Sequence, residues 1–255
     1  MQVEQSSPVE GGVRHIALAT IGSTNAEALA RVRAGERGPL WITAEAQTDG
    51  RGRNGRTWTS PQGNLYATLL LTEPCAPAQA PQLAFVSGLA LHDAVAQCAP
   101  AFAEQLALKW PNDLLLGRAK LAGILIESES GPAFSIAIGI GVNCASHPDD
   151  TPYPATDLRS VGADTDVGPK LLLEALSVSM QQRLLQWRQG ESFAQIRADW
   201  LARAAGLGEH INVRLSDREF SGRFGGLDDS GRLLLQQDGR LVTVTAGDVF
   251  ALGVR

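Results

Sequence analysis

Residues Gly50-Arg51-Gly52-Arg53-Asn54-Gly55 satisfy the spacing G-x-G-x-x-G, and the stretch immediately after them decides which folds remain open. A dinucleotide-binding turn of that spacing runs straight into a helix whose N-terminus holds a pyrophosphate. Here the chain continues Arg56-Thr57-Trp58-Thr59-Ser60-Pro61-Gln62-Gly63, a run rich in turn formers and poor in helix formers. The context argues against a doubly wound nucleotide fold. It leaves a long glycine- and arginine-rich loop over residues 47–64.

Around this loop, apolar alternation predicts short strands at 13–21, 40–45 and 65–71, the last two as antiparallel neighbours. A helix runs from 24 to about 35, with Thr24 and Glu27 fitting a capping box. A second helical pattern starts at Pro81 and ends before Pro100. Strands follow at 106–110, 114–116, 121–127 and 134–140, with Pro111-Asn112-Asp113 as a turn and the last strand alternating well enough to be central. Residues 144–170 read as a solvated acidic crossover, and two helices occupy 171–187 and 193–205. After Gly208 short alternating strands take over, and Asp238-Gly239 is a two-residue hairpin signal. Strands grouped with helices at the edges, without strict βαβ alternation, make the fold class α+β. The expected organisation is a flexible leader at 1–12, a main domain at 13–207 and a small β unit at 208–255. The last is marginal for an independent core, so it is expected to pack on the larger domain.

The chain has 255 residues and a formal charge of −5, from 22 basic and 27 acidic side chains. That balance offers no general attraction to nucleic acid or anionic lipid, so any positive site must be local. Cys75, Cys98 and Cys144 are odd in number and far apart, which fits a reduced cytoplasmic protein without a disulfide framework. The N-terminus lacks a basic start followed by an apolar run, and no stretch holds the ~18 apolar residues of a membrane span. HExxH, GxSxG and Walker A patterns are missing, which removes zinc hydrolysis, serine hydrolysis and P-loop chemistry from the leading readings. No metal-ligand set is written in the sequence.

Three arginines, Arg51, Arg53 and Arg56, fall within six residues of this acidic chain. Glycines between them let backbone approach a ligand closely, and guanidinium forks match carboxylate and phosphate geometry. The same residues also read as a solvated basic loop, or as a nucleic-acid loop with Trp58 as its only nearby aromatic. Lys109-Trp110-Pro111-Asn112-Asp113 and Lys120-Leu121-Ala122-Gly123 place two lysines, an amide and a carboxylate around a proline turn and a hairpin. Taken singly, these are snorkelling lysines and turn chemistry. Gly139 and Gly141 share a strand face, where a flat ligand could lie against bare backbone; a glycine bulge is the plainer reading. Ser23-Thr24-Asn25 alone is a helix cap.

Together and in order, four blocks resemble the biotin protein ligase family: Gly22-Ser23-Thr24-Asn25; Gln47 with Gly50 to Trp58; Lys109 to Asp113 with Lys120 to Gly123; and Gly139-Ile140-Gly141-Val142-Asn143. The resemblance implies a mixed sheet flanked by helices, a class II synthetase-like catalytic domain, followed by a small SH3-like β-barrel. It implies ATP-dependent activation of biotin to biotinyl-5′-AMP, with Mg²⁺, and transfer of biotin to one lysine of a biotin carboxyl carrier domain of acetyl-CoA carboxylase or a related enzyme. Ser23, Thr24, Asn25, Gln47, Gly50, Arg51, Gly52, Arg53, Lys120 and Gly123 match the biotin site. Arg51, Arg53, Trp58, Asn112, Lys120 and Asn143 match the nucleotide site. Lys120, Arg53 and Asp113 are the expected catalytic residues, with Asp113 positioning the incoming lysine or taking its proton. The dozen leader residues cannot hold the DNA-binding domain of larger members, so a cytoplasmic ligase without DNA or membrane binding is expected, as monomer or homodimer. A lipoate or octanoyl transferase of similar core, and a non-enzymatic nucleotide- or RNA-binding module, are the rival readings.

Overall fold

Alternating apolar residues put the two faces of one large sheet to different uses, and this division positions the site. The computed structural model describes residues 5–151, 153–215 and 218–250. The sheet is built from β1 (Gln5–Pro8), β2 (Arg14–Ile21), β3 (Leu40–Gln47), β4 (Leu65–Thr72), β5 (Leu106–Lys109), β6 (Asp113–Leu116), β7 (Ala119–Glu129) and β8 (Ser135–Val142). Their spatial order is β1-β2-β3-β4-β8-β7-β6-β5. Only β2 and β3 run parallel, because α1 (Thr24–Arg33) crosses between them; the other neighbours are antiparallel. β8 is central, as its alternation predicts.

In β8, Ile136, Ile138 and Ile140 point into the main core with α2 (Leu83–Cys98) and α3 (Pro169–Trp187), whereas Ala137 joins the smaller cluster beneath α1. Helix α2 is buried on most of its circumference because it lies between the sheet, α3 and α4 (Phe193–Leu201). The opposite face carries α1 over β3, β4, β7 and β8, and beside α1 it stays open as a cleft.

A second, antiparallel sheet has the order β12-β11-β10-β9-β13, from β9 (His210–Arg214), β10 (Glu219–Leu227), β11 (Leu233–Gln237), β12 (Arg240–Val244) and β13 (Asp248–Phe250). Asp238 (φ 47°) and Gly239 (φ 77°) form the β11–β12 turn, both left-handed as the two-residue hairpin requires. The sheet docks on the helical layer: Trp110 Nε1 donates to Gly231 O at 3.1 Å, and Gly231 lies against Phe85, which packs edge-on to Phe193 and Trp200.

Several local expectations need correction. Part of the leader is ordered, since Gln5–Pro8 extends the sheet edge beside β2; residues 1–4 lie outside the described residues. Ser23, not Thr24, caps α1, accepting from Ala26 N at 3.4 Å, because the Thr24 hydroxyl is drawn to Gln47. Asp113 is the first residue of β6 rather than part of the turn. Helix α4 stops at Leu201, and the next residues tie back to the sheet through Leu108 N to Arg203 O and Ala205 N to Leu108 O.

Candidate functional site

The floor of the cleft comes from strand register. Tyr66 of β4 stands opposite Gly141 of β8, Gly141 opposite Gly123 of β7, and Gly123 opposite Asp113 of β6. One step along, Thr68, Gly139 and Leu125 form a second row. The glycines leave bare backbone between polar ends, and the cleft above encloses about 410 Å³. A flat group already lies there: a Cβ on Gly141 would meet the Trp58 indole at 2.6 Å, and one on Gly123 would meet the same ring at 3.1 Å. The Trp58 indole N–H is buried without an acceptor among the described residues. Asn25 covers Gly139, where a Cβ would come within 2.5 Å of its Oδ1.

At the α1 end the groups are fully committed to one another. Gln47 Oε1 accepts from Thr24 N at 2.9 Å and from Thr24 Oγ1 at 3.2 Å, and its Nε2 donates to Ser60 Oγ at 3.0 Å. Thr68 Oγ1 sits 2.8 Å from Thr24 Oγ1 and 2.7 Å from Asn25 Oδ1. Asn25 Nδ2 donates to Glu127 Oε2 at 2.8 Å. Such a network fixes amide and hydroxyl orientations before a polar ligand arrives.

The opposite end carries the charge. Lys120 and Gly123 are three residues apart and would face opposite sides of a regular strand, but the β6–β7 register shifts at Leu114/Leu115. That bulge turns Lys120 toward the site. Its Nζ lies 2.7 Å from Asp113 Oδ1, and Lys109 Nζ lies 2.9 Å from Asp113 Oδ2. Burial alone would raise the Asp113 pKa; the ammoniums of Lys120 and Lys109 outweigh it and hold the carboxyl below its ordinary value. A carboxylate so stabilised is a poor proton acceptor. Its geometry is that of a group fixing two ammoniums.

The glycine–arginine loop folds over the cleft as a tight ribbon. Gly52 N donates to Arg56 O at 2.7 Å and Trp58 N to Gly50 O at 2.8 Å, with left-handed Asn54 (φ 56°) and Gly55 (φ 72°) at the tip. All three arginines meet protein acceptors. Arg51 Nη1 is 3.4 Å from Glu127 Oε1; Arg53 donates to Asn112 Oδ1 at 3.0 Å and to Gly247 O at 3.3 Å; Arg56 pairs with Asp248. Desolvation works against the Arg56 charge, but Asp248 and then Tyr153 outweigh it, so its pKa lies above the ordinary value. Gly50 does not line the cleft: a side chain there would collide with Trp58 O and Ser60 Oγ, so its smallness serves the packing of the loop.

Residues 144–168 are not a solvated crossover alone. Lys120 N donates to Pro154 O at 2.8 Å and Thr156 N to Lys120 O at 3.0 Å, which lays this segment along the start of β7. Asn143 Nδ2 donates to Thr156 O at 3.0 Å, and Asp150, Thr151 and Tyr153 thereby reach the cleft.

Of the residues expected from sequence, Ser23, Thr24, Asn25, Gln47, Arg51, Gly52, Arg53, Trp58, Asn112, Asp113, Lys120, Gly123 and Asn143 all line one cleft. Sequence reasoning missed Thr68, Glu127, Lys109 as partner of Asp113, Tyr153 and Asp248. Lys109 alone had a usable signal, a lysine inside an apolar strand.

Comparison with known proteins gives a consistent result. Residues 20–143 match the model of the Biotin/lipoate A/B protein ligase family, and residues 206–252 match the Biotin protein ligase C terminal domain. A curated biotin–[acetyl-CoA-carboxylase] ligase of Paracoccus denitrificans is 44% identical over 240 residues, covering 91% of this chain and 98% of that protein. The structure resembles the biotin protein ligase of Aquifex aeolicus solved with biotin and ATP, at TM-score 0.77 and 26% identity, over 92% of this chain and 97% of the other. It also resembles the Leishmania major ligase solved with biotinyl-5-AMP, at TM-score 0.67 and 27% identity, over 91% and 98%.

Proposed function

This chain belongs to the biotin protein ligase family, and from that premise we propose how its own residues divide the work. The reaction joins biotin to AMP with loss of pyrophosphate, then passes the biotinyl group to a lysine of a carboxylase carrier protein. The single observation that carries the assignment of roles is the convergence of Arg51, Arg53 and Lys120 on a glycine-floored cleft whose other end is the Thr24–Gln47–Thr68 network.

In the first step a biotin carboxylate oxygen attacks the α-phosphorus of ATP, and the bond to pyrophosphate breaks. Two anions must approach, and unit charges at 4 Å repel by ~1 kcal/mol in water and ~4 kcal/mol at intermediate screening. Lys120 is assigned to neutralising the reacting oxygens, and Arg51 and Arg53 to closing over them, because all three line this cleft. No base is needed, because the carboxylate is ionised at neutral pH. The ureido end of biotin is assigned to Ser23, Thr24, Asn25 and Gln47, with Gly52 and Gly123 allowing close approach. Trp58, Asn112 and Asn143 are assigned to the nucleotide, so Trp58 must leave the glycine floor when ligands enter, and its indole N–H then gains a partner. In the second step the lysine nitrogen attacks the acyl carbon, the C–N bond forms, AMP leaves and the released proton passes to solvent. Asp113 orients the ammoniums beside it.

Among the described residues no group of three or more His, Cys, Asp or Glu is placed to hold a metal ion. Magnesium would enter on the ATP phosphates, where it neutralises charge. We assign the carrier to the biotin carboxyl carrier domain of acetyl-CoA carboxylase or a related enzyme, and the site of action to the cytoplasm. ATP–pyrophosphate exchange tests the reading: it should require biotin, and exchange supported by lipoate instead would overturn it.

A further inference from the structure

Lys109, Asp113 and Lys120 leave one surplus positive charge in a buried place, and something must hold it there without cancelling it. Lys109 and Asp113 are each less than a tenth exposed. A second carboxylate would quench the charge that the reacting phosphate and carboxylate oxygens require. Aromatic faces do the opposite: their negative quadrupole stabilises a cation while leaving its net charge intact. The structure supplies two. The Tyr153 ring centroid lies 4.2 Å from Lys109 Nζ and 5.6 Å from Lys120 Nζ, and the Trp58 ring lies 5.3 Å from Lys120 Nζ.

Trp58 belongs to the loop and must move when ligands enter, whereas Tyr153 is pinned to the strand it serves. Pro154 O, one residue away, accepts from Lys120 N, and Thr156 N donates back to Lys120 O. Tyr153 lines the same cleft as Arg56, at the end of the glycine–arginine ribbon. One side chain thus faces both lysines.

We propose that Tyr153 is a positioning residue for adenylate formation: its ring holds the Lys109 and Lys120 ammoniums in place. The inference rests on the biotin-ligase reading and adds a role for a loop residue outside the four sequence blocks.

Two substitutions in the full-length protein separate the ring from the hydroxyl. Tyr153→Leu keeps bulk and removes the π face; the rate constant of biotin-dependent pyrophosphate release should fall about tenfold, with the KM for biotin within twofold. Tyr153→Phe keeps the ring, and its pyrophosphate release should match wild type. Unchanged turnover in Tyr153→Leu would overturn the role of the ring. Should the Leu variant not fold, a Phe variant slowed in pyrophosphate release would overturn the assignment to the ring. Lack of biotin-dependent pyrophosphate release in the wild-type protein would instead defeat the underlying reading.

Discussion

Lys120 Nζ and Asp113 Oδ1 lie 2.7 Å apart, and the β6–β7 bulge is what makes them meet. Without that register shift, Lys120 and Gly123 would face opposite sides of the sheet, and the ammonium would leave the cleft. The pair is a device for aiming a charge: Asp113 fixes the ammonium direction, and Lys109 on its other oxygen keeps Asp113 from neutralising Lys120 completely.

Replacing Lys120 with Ala should lower the rate constant of adenylate formation roughly a hundredfold, the ~3 kcal/mol given by a preorganised donor at a developing charge. The KM for ATP should change little, because the charge acts on the reacting oxygens. Biotin-dependent pyrophosphate release measures both quantities, and a normal rate would remove Lys120 from the catalytic set.

Gly139→Ala places a methyl where Asn25 Oδ1 now sits, at 2.5 Å. Overpacking of this kind costs about 1–3 kcal/mol. Here the strain falls on the Asn25–Thr68–Thr24 hydrogen bonds, so calorimetry should show biotin affinity weakened about tenfold or more, with the fold retained. Unchanged affinity would mean that this network does not shape the biotin site.

Arg56 and Arg53 are fastened to the second sheet through Asp248 and Gly247 O. Asp248→Ala should loosen the ribbon, and Arg53→Gly should remove one of its clamps on ligand. Both variants should release biotinyl adenylate early and biotinylate unrelated proteins, read on an avidin blot. Acceptor selectivity equal to wild type would show that the ribbon does not retain the intermediate.

The folded pKa of Asp113 lies below its unfolded value of about 3.9, so the folded state binds fewer protons there. Its contribution to stability is complete above the unfolded value and is lost as pH falls through the folded one. Asp113→Asn should therefore flatten the acid-side slope of stability measured by urea unfolding. At neutral pH it should cost about 3–5 kcal/mol, because two buried ammoniums lose their anion. A variant with the wild-type acid slope would exclude Asp113 as its source.

Much of this was readable along the chain because it depends on neighbours in sequence. Alternation located the strands, Asp238-Gly239 marked its hairpin, the arginine ribbon pointed to anion binding, and the family resemblance of the combined blocks implied a ligase. The identity of the sheet neighbours was less legible. Periodicity says which face of β8 is bare, yet nothing in the glycine spacing says that Trp58 and Asn25 will cover it.

What the sequence by itself determined is the chemistry available: cations on a glycine-rich loop, amides and hydroxyls at a helix start, and a family pattern that unites them. What only the tertiary structure decided is which charges meet. Asp248 lies 192 residues from Arg56, Tyr153 reaches Lys109 from a loop that reads as solvent-facing, and a bulge turns Lys120 inward. The reason is physical: local pattern sets the conformation and exposed face of each element, whereas electrostatic partnership depends on distance in space, which packing alone establishes.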